Sequence, residues 1–284
     1  MCVSQFTEVA DRVWVGRFDW YDVNVSVIEG EAGLVVVDTH ASTVAAREVI
    51  GELRALSSRP VVRIVNTHWH FDHVLGNHAF QQEYDAPPIT AHEAAGRALV
   101  EHGEQMRADA AERAGERGAQ ILATELVVPG DTFSSVTTID LGDRAVELVH
   151  PGRGHTDGDL VVRLDDADVL LAGDLVEESG APAYGGDSFP MDWPLSMDLV
   201  LQLIGKGTVV VPGHGAPVGL EFVEEQRAAI GVVAETIRDL AGRGVRADEA
   251  LAATQWPYPA EVLGEAVRRG YEQLPSSQKR LPLL

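Results

Sequence analysis

Apolar residues along the chain switch repeatedly between strand-like and helix-like spacing, which divides it into alternating strands and helices. Val13–Gly16, Val23–Ile28 and Leu34–Asp38 predict three consecutive strands, the last two joined by the turn Glu29-Gly30-Glu31-Ala32-Gly33. Ser42 or Thr43 can cap a helix that runs to about Leu56, where Ser57-Ser58-Arg59-Pro60 stops it. A β-branched strand at Val61–Val65 leads into the polar loop Asn66–His73, and Ile89–Ala91 is a further short strand. From His92 to about Leu126 the residues are rich in Ala, Glu and Arg, which predicts a helical insert over one face with Gly103, Gly115 and Gly118 as breaks. Strands are predicted again at Val136–Ile139, Ala145–Val149, Leu160–Leu164, Val169–Ala172 and Thr208–Val211, with Asp165-Asp166-Ala167-Asp168 as a hairpin turn. Beyond His214 the pattern is helical, at about Leu220–Ala241, Ala247–Ala253 and Ala260–Leu274.

Composition narrows the class. A chain of 284 residues with 45% apolar and 23% charged residues has ample material for a core. It has no apolar run long enough to span a membrane. The first ten residues, Met1 to Ala10, lack the basic and apolar regions of a secretory signal, so the cytoplasm is the expected location. Cys2 is the sole cysteine, which excludes a disulfide framework and a zinc ribbon. The formal charge is −22, and Lys206 and Lys279 are the only lysines. Such a field favours solubility and opposes nucleic acid and anionic membranes as partners, leaving a small-molecule substrate. No heptad pattern is long enough to predict an oligomeric state.

The chemistry lies in how the ten histidines cluster. His68-Trp69-His70-Phe71-Asp72-His73 places three imidazoles and a carboxylate directly after a strand. In such a loop residues two apart can converge on one ion while Asp72 and His73 point to another. Imidazole and carboxylate donors without cysteine suit zinc, iron or manganese in an open site. Three later strands also end in Gly-flanked turns that carry potential ligands: His155 after Ala145–Val149, Asp174 after Val169–Ala172, and His214 after Thr208–Val211. Glycine lets the backbone approach a crowded centre.

These words, in this order, resemble the metallo-β-lactamase superfamily. Asp38 at a strand end, Gly76-Asn77 after the histidine loop and Gly213-His214-Gly215 add to the likeness, which covers roughly residues 10–220. The resemblance implies an α/β fold, a four-layer αββα sandwich of two mixed sheets with the metals at one sheet edge. On this reading residues 1–220 form the catalytic domain with its insert at about 92–126, and 221–284 a helical extension packed on it. It implies His68, His70 and His155 on a first metal, Asp72, His73 and His214 on a second, and Asp174 bridging both. Two divalent ions, zinc first with iron or manganese as options, would supply a hydroxide for cleaving an ester, thioester, lactone or lactam. Asp72 is a ligand and also a candidate catalytic residue that orients the hydroxide or shuttles its proton.

Departures from related patterns narrow this further. His70 stands where flavodiiron oxygen reductases carry glutamate, and no cysteine lies near Asp174, unlike the cysteine-liganded β-lactamases. Glyoxalase II and lactonase relatives keep the bridging aspartate. The alternatives are a mononuclear iron oxygenase resembling the persulfide dioxygenases, a non-catalytic metal- or anion-binding protein, and a metal-dependent lyase. Trp20, in the aromatic loop Arg17–Tyr21, is a candidate substrate contact as part of a flap. Tyr184, in the long segment Glu177–Pro194, is a candidate donor to an oxyanion, and His150 a candidate substrate contact or partner of a ligand. Asp38 is expected to support a ligand or cap the next helix, His40 to partner a ligand, contact substrate or serve the structure, and His78 to pack, while His92 and His102 have no assigned role.

Overall fold

The computed structural model describes residues 5–275 and 278; Cys2 and Lys279 lie outside them. The chain begins with β1 (Phe6–Ala10), β2 (Val13–Phe18), β3 (Val23–Gly30) and β4 (Gly33–Val37). Helix α1 (Thr43–Leu56) follows, capped by the Ser42 side chain, which accepts from the Ala45 amide. Then come β5 (Val61–Val65), α2 (Phe71–Val74), α3 (Asn77–Glu83), β6 (Ile89–His92), α4 (Glu93–Arg113) and α5 (Gly118–Leu122). The second half holds β7 (Asp131–Phe133), β8 (Val136–Asp140), β9 (Ala145–Val149), β10 (Val161–Leu164) and β11 (Val169–Glu177). It ends with α6 (Trp193–Gln202), β12 (Val209–His214), α7 (Leu220–Gly242), α8 (Ala247–Ala250) and α9 (Gly264–Gln273).

The strands form two sheets joined at one corner. The path β7-β6-β5-β4-β3 continues into β12-β11-β10-β9-β8 through a single residue pair, His214 opposite Val23, and β1 and β2 extend the first sheet from β3. Side-chain alternation along the strands then builds the layers. Val35 and Val37 of β4 and Leu171 of β11 face inward, into a core shared by both sheets. Leu34 and Val36 face the opposite way, against Val49, Leu53 and Phe80 of α1 and α3. On the far side, Leu170 and Ala172 meet Trp193, Val233, Ile237 and Val267 of α6, α7 and α9. The result is the expected αββα stack, and the C-terminal helices share its outer core.

Several expected boundaries move. The ligand loop is not irregular to His73: it turns into α2 at Phe71. Gly103 does not break the insert but lies inside α4 against Leu126, whereas Gly115, at φ +56°, does end it. Helix in the insert stops at Leu122 instead of Leu126. The segment after Asp174 is shorter than anticipated, because β11 runs on to Glu177 and α6 starts at Trp193, a fully buried residue. The insert packs over the ligand loop: Leu99 and Met106 of α4 meet Val74, and Ala110, Ala111 and Ile121 meet Leu75.

Candidate metal centre

Four elements and a loop deliver the predicted ligands to one corner. His68 and His70 leave the end of β5, Asp72 and His73 lie on α2, Asp174 lies within β11, and His214 ends β12. His155 comes from the loop between β9 and β10. Donor atoms of His68, His70 and His155 lie within 4.8 Å of one another, as do those of Asp72, His73 and His214. Asp174 stands between the groups: its Oδ2 is 3.7 Å from His68 Nε2, 3.4 Å from His155 Nε2 and 3.3 Å from His214 Nε2, and its Oδ1 is 3.2 Å from His73 Nε2.

Hydrogen bonds on the far side of each ring fix which nitrogen carries the proton. His155 Nδ1 lies 2.8 Å from the Ala183 carbonyl and His214 Nδ1 2.7 Å from the Tyr21 carbonyl. A carbonyl only accepts, so both Nδ1 atoms donate and both Nε2 atoms are left with lone pairs. His73 Nδ1 faces the Asp38 carboxylate at 2.8 Å, and His70 Nε2 faces Asp187 at 2.9 Å, with the same consequence for the opposite nitrogens. The Thr67 hydroxyl donates to Asp38, so its oxygen accepts from His68 Nδ1 at 3.1 Å.

Five lone pairs therefore point inward. His70 Nδ1 and His155 Nε2 stand 2.8 Å apart, and His73 Nε2 and His214 Nε2 stand 3.3 Å apart. His68 Nε2 and Asp174 Oδ1 are buried with no hydrogen-bond partner among the described residues. Cations among these atoms would satisfy them, so the residues fit divalent metal.

The electrostatics agree. Burial pushes the His155 imidazole down to about 4 and takes His68 well below its ordinary value. Burial also opposes charge on His73 and His214, but the carboxylates outweigh it, chiefly Asp174, raising His73 well above its ordinary value and His214 to about 10. Anionic donors thus draw positive charge to this spot, as a proton if no metal supplies it.

The backbone is shaped for the same purpose. Asp38 adopts φ +62°, and from that position its carboxylate receives the Thr67 amide and hydroxyl as well as His73. It supports the proposed ligand His73 and does not cap α1. Gly213 packs so closely on Asp174 that a Cβ there would lie 1.8 Å from Oδ1.

Other residues singled out in the sequence lie elsewhere. His150 stacks on His92 with ring centroids 3.8 Å apart, and its Nδ1 donates to the Asp159 carbonyl. His92 also caps α4. His40 packs against Phe18 and Trp20, and burial lowers it to about 4. His78 is 3.7 Å from Glu125, and His102 lies on the exposed face of α4. Trp20 stacks on Tyr21 beneath Arg117, and of the two aromatics it is Tyr21 that lines the pocket over the ligands. Tyr184 contributes to that wall, but its ring packs on Trp193 and its hydroxyl is buried without a hydrogen-bond partner among the described residues.

Asp187 is a candidate functional residue that no local motif announces. One oxygen of its carboxylate accepts from both Trp69 Nε1 and His70 Nε2, each at 2.9 Å across more than a hundred residues of chain. Burial would raise this carboxyl, but the His70 imidazole outweighs it and holds it well below the usual range. Asp187→Asn keeps the size and an accepting oxygen but removes the negative charge that holds the His70 ring. It is expected to weaken metal affinity by about 10–100-fold, as loss of a ligand's supporting partner does, measured by competition with a chromophoric chelator.

A family model described as the metallo-beta-lactamase superfamily matches residues 18–214. The chain belongs to the metallo-β-lactamase superfamily. Among its members, the metallo-beta-lactamase type 2 of Bacillus cereus is 27% identical over 217 residues, covering 74% of this chain and 75% of that relative. A linear primary-alkylsulfatase from Pseudomonas sp. is 29% identical over 264 residues, or 81% of this chain but 49% of the longer relative. Among solved structures, a metallo-beta-lactamase from Pontibacter korlensis superposes with a TM-score of 0.66 at 23% identity, over 80% of this chain and 98% of that one. The inverting sec-alkylsulfatase Pisa1 from Pseudomonas sp. gives 0.77 at 18% identity, over 95% of this chain and 50% of its own. Superfamily members of this kind are metallo-hydrolases. No helix among the described residues is long and apolar enough to cross a membrane.

Proposed function

We propose that the protein is a binuclear metal-dependent hydrolase that cleaves an ester, thioester, lactone or lactam bond of a small molecule. The observation that carries this reading is the set of inward lone pairs on five histidines, each fixed by a partner behind the ring, with Asp174 between two groups of donors. His68, His70 and His155 would hold one ion, Asp72, His73 and His214 the other, and Asp174 would touch both. Donors of nitrogen and oxygen alone suit zinc. Two divalent metals, when bound, lower the pKa of a coordinated water to about 7 and polarise the scissile group.

The chain's own residues do the rest. Asp72 lines the pocket with Oδ2 3.4 Å from His214 Nε2, where a carboxylate can accept a hydrogen bond from the attacking water and fix its direction. The pocket, about 530 Å³, is of the size that suits a small molecule. Phe71, Ala181, Pro182 and Val262 line it and exclude bulk water from one side. Sulfate-ester cleavage is a second reading, favoured by the likeness to the alkylsulfatase over most of this chain. Against it, no Lys or Arg lines the pocket to receive a sulfate among the described residues.

Elemental analysis of protein purified without chelator, followed by assays on the four acyl bond classes and an alkyl sulfate, tests the proposal. About two zinc or manganese ions per chain and chelator-sensitive acyl hydrolysis are expected. One iron per chain with oxygen consumption on thiol substrates would replace this reading with the oxygenase, and turnover of the sulfate alone would establish the second reading.

A further inference from the structure

The pocket wall carries a carboxylate that the ligand set does not use. Glu177 ends β11, three residues beyond Asp174 and opposite His214 in the β11–β12 ladder. It is 6% exposed, and a carboxylate oxygen lies within 4.8 Å of donor atoms of Asp174 and His214. Its Oε1 is fixed by Ser179, whose amide and hydroxyl donate to it at 3.2 and 2.5 Å, while Gln226 accepts from the Glu177 amide at 3.0 Å. Among the described residues no hydrogen bond reaches the second oxygen, Oε2, although the residue lines the pocket. Aromatic rings share that space: Tyr21 and Phe71 meet edge to face at 4.9 Å between centroids, and both line it.

A held carboxylate with a free oxygen, aromatic rings and no facing Lys or Arg is chemistry that repels carboxylates and receives ammonium groups. The chain's net charge of −22 also draws cations towards such a cleft. We infer that Glu177 is a specificity-determining residue, and that the natural substrate carries a cationic nitrogen beside its scissile acyl bond. This inference rests on the hydrolase reading for the bond cleaved, but the recognition of a cation by Glu177 stands apart from turnover.

The test separates the two. Calorimetry on the metal-loaded full chain compares choline with its uncharged isostere 3,3-dimethylbutanol, in the wild type and in Glu177→Gln. Choline is expected to bind at least tenfold more tightly to the wild type, and the ratio is expected to fall to about twofold or less in the variant, with metal content still two per chain. Equal binding of the two probes by the wild type overturns the inference, as does a ratio that survives the substitution. A variant that loses metal makes Glu177 a ligand and overturns it as well. In parallel, acetylthiocholine should be hydrolysed with a higher kcat/KM than 3,3-dimethylbutyl thioacetate, and Glu177→Gln should remove that preference. If neither thioester is turned over while the binding ratio holds, the cation subsite stands and the hydrolase reading is decided by the assays on the other acyl bond classes.

Discussion

Asp174→Asn is expected to lower bound metal from the proposed two ions per chain to one or none and to cut kcat/KM by roughly 10²–10³-fold or more, the scale set by removing one preorganised group from an active site. The reason lies in what surrounds the side chain. Asp174 is 6% exposed, and its two oxygens face nitrogens of His68, His73, His155 and His214 that carry lone pairs. An amide keeps the shape but brings no negative charge, and its NH₂ can occupy only one of the two directions. The change is nearly isosteric, so the fold should survive. Metal-free variant and metal-free wild type should therefore melt within a few degrees of each other. Elemental analysis with a thermal melt checks both parts. Two retained ions with near-normal activity would show that Asp174 does not hold them.

Gly213→Ala should be almost as damaging by a different route. All the proposed ligands remain, yet the added Cβ would lie 1.8 Å from Asp174 Oδ1 and 3.0 Å from the Asp174 amide nitrogen. Gly213 is not among the residues with positive φ, so alanine meets no backbone strain there. The contact nearest the new methyl is the end of a side chain, so the carboxylate rotates away instead of the sheet parting. Expected results are a cooperatively folded protein, loss of at least one metal ion and a fall in activity of about 10²-fold. Spectra of the cobalt-substituted protein would show the altered coordination directly. A variant with the wild-type cobalt spectrum would mean that the approach of Gly213 is irrelevant to the site.

What could be anticipated from the sequence depended on whether a signal was local. The seven proposed ligands occur in short words next to strands, and the layers follow from alternation in strands such as Gly33–Val37, so both were legible. Helix α6 was not: Trp193-Pro194 opens it inside a stretch rich in Gly and Pro, and the proline at its first turn reads as loop punctuation. The short β7 has three residues, too few for a period to show. Asp187 and Glu177 illustrate a different limit. Nothing in Gly185-Gly186-Asp187 distinguishes that acid from a solvated one until the fold brings Trp69 and His70 to it. Glu177 was visible as one more acid in a long segment. Its significance depends on Ser179 fixing one oxygen and on which residues line the opposite wall.

The corner where the sheets meet is joined by one ladder pair, His214 with Val23, helped by Asn24 donating to the Pro212 and Gly215 carbonyls. His68, His70, Asp72 and His73 belong to the first half of the chain, and His155, Asp174 and His214 to the second. Any ion held by donors from both sides is therefore a rivet through this corner. A loaded molecule would therefore resist shear between its sheets more than its sparse ladder suggests, and stripping the metal would remove that added resistance.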